Sequence, residues 1–271
     1  MKLLQSLLFI IIFTALFAVA GYGASYAMRE QWKAEVEVRQ PKVEQLGTYF
    51  SLFEMYQLIN GNKTEDQKET ANFVYKGFKQ QLKTYDNLSK FWLDSDFYKQ
   101  RQTGIEERDE AFLQELIAGI QFVEGNPERN IPDRISLTLD NPKQAMLQLE
   151  SFVKHVNYLT RQSLYNELIT KWKTLFNQVN LAAQQSTDNA KQGELSWQGK
   201  LNMMKSVSPL DNQLATFDYL KSPTQPKVAL PDRLLWAEVG AAAGFLFGLL
   251  LALIFVGRKQ KSHSQRVNDK I

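Results

Sequence analysis

Two uncharged apolar runs, one near each end, constrain this chain more than any other feature of it. No side chain carries charge from Leu3 to Met28, and none does from Val239 to Gly257. At about 1.5 Å per residue, either run as a helix crosses a hydrocarbon core of about 30 Å. Lipid satisfies no backbone hydrogen bonds, so a spanning segment of this kind has to be helical. The residues between the runs read as water-soluble sequence, and they bring the whole chain to 23% charged residues. The layout predicts four segments: an N-terminal transmembrane helix (1–28), a water-exposed domain (29–235), a second transmembrane helix (236–257) and a basic tail (258–271). A cleaved signal peptide ending at Ala18-Val19-Ala20 is the alternative for the first run, but the uncharged stretch continues to Met28, longer than such a leader needs.

Charge placement sets the expected orientation. Of the net +3, the tail carries +4 through Arg258, Lys259, Lys261, Arg266 and Lys270 against Asp269, and Lys2 adds +1, so the rest is −2. Short basic flanks stay cytoplasmic. Both termini are therefore expected inside, with the domain on the far side of the membrane, which in a bacterium is the periplasm. A near-neutral domain has no electrostatic footprint for nucleic acid.

Motifs for chemistry are missing. Without cysteine there is no disulfide framework, thiolate metal site or cysteine nucleophile. The two histidines, His155 and His263, lie far apart in sequence with no metal-ligand spacing. Phosphate-cradling glycine loops are absent. Glu106, Glu107, Asp109 and Glu110 read as the solvated face of an amphipathic helix rather than a catalytic carboxylate pair. No cofactor, metal or catalytic residue is expected.

Periodicity supplies the domain's elements. Ala34, Val36 and Val38 alternate with charged residues, so Trp32–Val38 reads as a half-buried strand ended by Pro41. Helical spacing runs from Val43 to Ile59 and stops at Gly61-Asn62. One or two helices follow from Glu65 to Leu93. Asp94-Ser95-Asp96 reads as a turn and helix cap. Another helix is expected over Glu106–Phe122, stopped by Gly125-Asn126-Pro127. Arg134–Leu139 alternates as a second strand. Asn141-Pro142, with Gln144 at N3, then starts a helix with no proline before Pro209. If helical to Gln185, that element is about 65 Å long, more than a compact globule usually holds. Asp188–Gly199 reads as a turn, Trp197–Val207 as a short returning helix and Ala215–Leu220 as a third strand.

Two short stretches stand out near the second apolar run. Ser222, Pro223, Pro226 and Pro231 make a stiff, extended lead-in to the membrane. Gly240, Gly244 and Gly248 form a stripe at four-residue spacing, which favours close helix packing and is expected to serve subunit association.

Taken together, certain residues resemble a known family. Trp32 with its alternating strand, Pro41, and then Leu46-Gly47-Thr48-Tyr49-Phe50-Ser51 are similar to the start of the periplasmic domain of bacterial polysaccharide chain-length determinants, the polysaccharide co-polymerases of the Wzz family. Phe91-Trp92-Leu93-Asp94-Ser95-Asp96-Phe97-Tyr98-Lys99-Gln100-Arg101, with Ile120-Gln121-Phe122, resembles the branch that sets the chain length of enterobacterial common antigen (the WzzE type). The exit segment Tyr219–Pro223 with Pro226, Pro231, Gly240 and Gly244 resembles the family's proline-rich stretch and second span. Leu230-Pro231-Asp232-Arg233 stands where that family usually has Ser-Pro followed by basic residues.

The resemblance implies an α+β fold, with an α/β base at the membrane carrying a small sheet and a long extended helix, flanked by two transmembrane helices. It implies a non-enzymatic regulator of O-antigen lipopolysaccharide or enterobacterial common antigen chain length. The expected partners are further copies of the chain in a homo-oligomer, a Wzy-type membrane glycan polymerase, undecaprenyl-linked polysaccharide and the lipid bilayer of the bacterial inner membrane. A two-span periplasmic sensor or scaffold is the rival expectation.

Overall fold

A computed structural model describes residues 2–61, 67–185, 196–224 and 226–268. Two compact units emerge: residues 1–33, 138–142 and 227–271 form one, and residues 34–137 and 143–226 form the other.

The first unit is built on two long helices, α1 (Lys2–Ala24) and α9 (Arg233–Asn268). Leu7–Ala27, which runs from α1 into the turn that follows it, and Arg233–Leu253 of α9 are long and apolar enough to cross a membrane. α1 ends in a short 3-10 turn, Ser25–Ala27, where the Ser25 hydroxyl donates to the Tyr22 carbonyl at 2.6 Å. α9 starts at a cap the sequence reading did not identify. Asp232 Oδ1 accepts from the Leu234 and Leu235 amides at 3.0 and 3.2 Å, satisfying two of the donors that open any helix. Pro231, joined to Leu230 by a cis peptide bond, is buried just before that cap.

Among the described residues five strands make one sheet, in the order β2 (Ile120–Val123), β3 (Asp133–Leu139), β1 (Gln31–Arg39) and β4 (Asp218–Lys221), with β5 (Lys227–Leu230) also paired to β1. β1 (Gln31–Arg39) realises the alternation of its sequence: Ala34, Val36 and Val38 are all fully buried. Its first residues pair antiparallel with β5 (Lys227–Leu230), and its last with β4 (Asp218–Lys221). β2 (Ile120–Val123) pairs antiparallel with β3 (Asp133–Leu139). The expectation of three strands thus becomes five. The sequence reading placed Ile120–Phe122 in a helix, but that helix, α6 (Glu106–Gly119), stops at Gly119 and the chain turns extended. Apolar residues at 120 and 122 fit either period, and strand pairing with Ile135 and Leu137 decides it. β5 was hidden in the proline-rich lead-in, which is extended as expected but also supplies a paired strand. The third strand begins at Asp218, later than the Ala215 expected.

The second unit is organised around α7 (Pro142–Gln185), 44 residues and about 66 Å long. Its start and end agree with the sequence expectation. Ala145, Leu149, Phe152, Val153 and Val156 are fully buried in its first third. Leu164, Tyr165 and Leu168 then pack with α2 (Thr48–Ile59) and α3 (Gln67–Lys83) residues Tyr49, Leu52, Ala71 and Val74. Leu175 and Val179 pack with Ile59 of α2 and with Leu201 and Met204 of α8 (Trp197–Lys205). α4 (Tyr85–Asp94) and α5 (Asp96–Lys99) follow α3 in the chain. The expected single helix over Val43–Ile59 is broken into a 3-10 turn, Val43–Leu46, and α2, because Gly47 lies at φ +57°. The turn expected over Asp188–Gly199 lies largely outside the described residues.

Candidate functional site

Helical spacing brings Gly240, Gly244 and Gly248 onto one face of α9, and that face lies against α1 of the same chain. A methyl group added at Gly240 would collide with the Phe17 carbonyl oxygen. At Gly244 it would stand 2.5 Å from the Phe13 carbonyl oxygen, and at Gly248 3.0 Å from the Ile10 α-carbon. Gly21 of α1 is the reciprocal position, closed by the Trp236 carbonyl oxygen. Sequence reasoning missed Gly21, which sits among the small residues Ala18, Ala20, Gly23 and Ala24 with no spacing that sets it apart. Phe247 fills the margin of the seam, its ring 5.5 Å from that of Phe13 and 5.7 Å from that of Phe17. Lipid tails are as apolar as leucine, so close backbone approach with tight van der Waals contact is what holds such helices together. Leu7, Ile11, Leu16, Val19, Leu246 and Leu250 point outward and are more than half exposed.

Charge and aromatic rings gather at one end of this helix pair. The Arg233 guanidinium lies 4.1 Å over the Tyr26 ring and pairs with Glu30 at 3.0 Å. Arg29 pairs with Asp140 at 2.7 Å. Tyrosine and arginine at a helix end are the groups that favour a membrane–water boundary. The lead-in residues divide: Ser222, Pro223 and Pro226 fall in the connection between β4 and β5, within the second unit, while Pro231 is in the first.

In the second unit, the segments that carried the family resemblance prove to be positioning devices. Gly47 is required twice, once by its positive φ and once because a methyl there would stand 2.7 Å from Asp211 Oδ1. That same carboxylate accepts from the Thr48 amide at 3.2 Å, and the Asp211 amide donates to Thr48 Oγ1 at 2.8 Å. The segment after α8 is then clamped onto α7 by residues four apart on one helix face. Asn157 Oδ1 accepts from the Thr216 amide and hydroxyl at 3.0 and 2.7 Å, Arg161 donates to the Asn212 carbonyl at 2.8 Å, and the Tyr165 hydroxyl donates to the Asp211 carbonyl.

Phe91–Arg101 folds as the end of α4 and the whole of α5. Ser95 caps α5 by accepting from the Tyr98 amide at 3.2 Å, as the turn reading of Asp94-Ser95-Asp96 anticipated. Phe91, Trp92, Phe97 and Tyr98 are buried, and Phe91 meets Phe152 of α7 edge-on at 5.2 Å.

The acidic cluster does not form a carboxylate pair for chemistry. Asp109 is committed to a loop: it accepts from the Thr103 amide and hydroxyl and from the Gly104 amide at 2.7 to 3.0 Å. The Thr103 amide bond above all holds its carboxyl below the usual range. Glu106, Glu107 and Glu110 remain on the exposed side of α6. Among the described residues, no three histidine, aspartate or glutamate side chains gather as a metal site requires. His155 is on α7, and the side chain of His263 lies outside the described residues.

No family model matches the chain. Over 179 residues it is 29% identical to the ECA polysaccharide chain length modulation protein of Salmonella typhimurium, an alignment that takes in 65% of this chain and 51% of that protein. The chain therefore spans about half the length of the curated relatives it matches. A full-length bacterial polysaccharide co-polymerase superposes on it with a TM-score of 0.58 at 13% identity, over 96% of both chains. A fragment of the polysaccharide co-polymerase WzzB from Salmonella Typhimurium gives 0.52 at 14% identity, over 74% of this chain and all of that one. With its long helix, small sheet and two apolar end helices, the chain is similar in sequence to the ECA polysaccharide chain length modulation proteins and has the fold of the polysaccharide co-polymerases.

Proposed function

We propose that the chain is a non-enzymatic regulator of polysaccharide chain length, acting on enterobacterial common antigen or O-antigen lipopolysaccharide. The observation that carries this reading is the conjunction of two likenesses. Relatives named for chain length modulation align over most of the chain, and a full-length co-polymerase shares the fold from end to end. In this reading the protein resides in the bacterial inner membrane through two spans, with residues 29–235 in the periplasm and both termini in the cytoplasm. It assembles as a homo-oligomer beside a Wzy-type polymerase and biases how long that enzyme holds an undecaprenyl-linked glycan. Such a bias needs no bond-making groups. A change of about 1.4 kcal/mol in how firmly the polymerase retains its growing chain alters the odds of release tenfold.

The seven residues singled out from sequence take structural roles in this proposal. Gly240, Gly244 and Gly248 hold α9 against α1 inside each subunit, which leaves subunit association to other surfaces. Ser222, Pro223, Pro226 and Pro231 fix how the chain enters its second span.

Deleting the gene tests the proposal. Immunoblots of both glycans should show one of them losing its clustered length distribution, with restoration by the intact gene. Unchanged ladders for both glycans would refute the reading.

A further inference from the structure

The seat of α4 and α5 on α7 includes a ring that is poorly placed to carry charge. His155 of α7 lies 5.7 Å from the Phe91 ring of α4, and Phe91 meets Phe152 of α7 edge-on at 5.2 Å. Within this aromatic junction His155 Nε2 is sealed from solvent and has no protein hydrogen-bond partner. Trp92, fully buried against Phe91 and Phe97, has its indole N–H in the same condition. Buried polar atoms are rarely left this way in folded proteins. A neutral imidazole keeps the cost small. An imidazolium, which has a donor on both nitrogens and a full charge, raises it sharply.

The surroundings decide when the ring charges. Its other edge lines a cleft of about 360 Å³ between the α4–α5 turn and α7, together with Asp94, Asp96, Gln148 and Ser151. Through this opening the ring is in reach of solvent protons. The carboxylates of Asp94 and Asp96 favour a charged ring, whereas Lys90 of α4, Lys99 of α5 and Arg101 just after it disfavour one. Lys99 donates to the Asp94 carbonyl at 2.8 Å, and Arg101 lies 3.7 Å over the Phe97 ring. On α7 itself, Glu150 and Lys154 pair with each other at 2.6 Å. With these charges of both signs around it, burial is the strongest influence and holds His155 below its ordinary range. Asp94 pulls against burial and Lys90 adds to it.

Once α4 lifts from α7, the ring returns to water and charges near its ordinary value of about 6.5. The open state therefore takes up a proton at a pH where the closed state does not. Above that value the closed seat keeps its full stability, and below it stability is lost as pH falls. We propose that His155 is an acid-sensitive latch, holding α4 and α5 on α7 while its ring is uncharged and releasing them when the ring gains a proton. The latch is independent of the chain-length role. In the proposed topology it lies outside the cytoplasm, away from cytoplasmic buffering.

The test uses the full chain in detergent micelles and follows amide hydrogen exchange by mass spectrometry, each rate divided by the intrinsic rate at that pH. Over residues 85–99, which hold α4 and α5, the opening constant should rise by about threefold or more between pH 7.5 and pH 5.0. Over residues 164–179 of α7 it should change less. His155→Leu and His155→Gln keep a side chain in the seat but take up no proton, and both should flatten the profile with helical circular dichroism unchanged. A second measurement needs no change in the seat. His263→Ala leaves His155 as the one histidine in the chain, so its ring can be titrated by NMR after selective labelling. The ring should titrate below about 6.5, lower still in Asp94→Asn and higher in Lys90→Gln. A flat exchange profile in the parent chain, an equal rise in both segments, or a rise that survives in His155→Leu and His155→Gln overturns the proposal. So does a ring that titrates at or above about 6.5.

Discussion

The seam between α1 and α9 and the spine of α7 solve the same problem, holding long helices against neighbours, by opposite means. At the seam, Gly240, Gly244 and Gly248 carry no side chain, and the carbonyl oxygens of Phe13 and Phe17 come into the space that a side chain would need. Along α7, Leu149, Phe152 and Leu168 fill space with bulk and are almost fully removed from solvent. The difference follows from the solvent each region is built for. In water, burying a large apolar side chain is itself favourable by about 1.5–3 kcal/mol, so bulk pays. In a bilayer no such gain exists, and helices gain only by approaching closely. Two helical faces in one chain thus record two environments.

The largest effect expected from breaking this comparison lies on the α7 side. Leu149→Ala removes a fully buried side chain and should cost about 2–5 kcal/mol, visible as a lower urea midpoint of the full chain in mild detergent. Next comes the seam. Gly244→Ile forces a branched side chain onto the Phe13 carbonyl and the Phe17 side chain and should cost about 1–3 kcal/mol. Its signature is specific: α1 should become accessible to proteolysis in detergent while the melting of the soluble domain is unchanged. If Leu149→Ala and Gly244→Ile lower the same transition equally, the two regions are not held by different means.

A smaller effect is expected at the β2–β3 hairpin. Asp133 accepts from the Tyr75 hydroxyl and the Gly125 amide, each at 2.6 Å, so Asp133→Ala strands two donors and should cost about 1–3 kcal/mol. The Tyr75 hydroxyl, held well above its ordinary range by burial and then by this bond, should shift measurably downward by spectrophotometric titration in Asp133→Ala.

The smallest effect concerns acid. Asp218 is partly buried, which opposes its ionisation, yet bonds from Gln45 and Arg39 outweigh that and hold its carboxyl below the usual range. Arg39 Nη2 and Nε both donate to Asp218 Oδ2, at 2.8 and 3.0 Å. A depressed carboxylate contributes stability that is present above its unfolded value and is lost as pH falls through its folded value. Stability of the parent should therefore decline below about pH 4, and Asp218→Asn should be less stable at neutral pH with a flatter acid limb. Because Arg39 is largely exposed, the difference should be about 1 kcal/mol or less.

Much of this architecture was legible because two periods are hard to confuse over length. α7 was readable from Pro142 to Gln185 since a 44-residue element with no proline after its first residue leaves little alternative. β1 was readable from three buried residues alternating with charge. Short elements were not. Ile120–Val123 offers too few residues to separate period 2 from 3.6, and only its partner strand β3 resolves it. β5 was masked because prolines flank it, and a proline-rich stretch is equally consistent with a paired or unpaired extended chain. The glycine stripe was visible as a pattern, but its partner was not, since spacing names a face and says nothing of what covers it. The cleft beside His155 was invisible for a related reason: Asp94 and Ser151 are 57 positions apart in sequence, and only the packing of α4 on α7 makes them neighbours.

Because the chain has no cysteine, the seam can be tested directly. Phe13→Cys and Phe247→Cys replace rings now 5.5 Å apart, and a short bis-maleimide applied to membranes should join them within one chain. The expected product migrates at the mass of a single subunit, and two differently tagged copies expressed together remain unlinked. Cross-links formed only between the tagged copies would contradict the account, since α9 would then be packing against the α1 of another subunit.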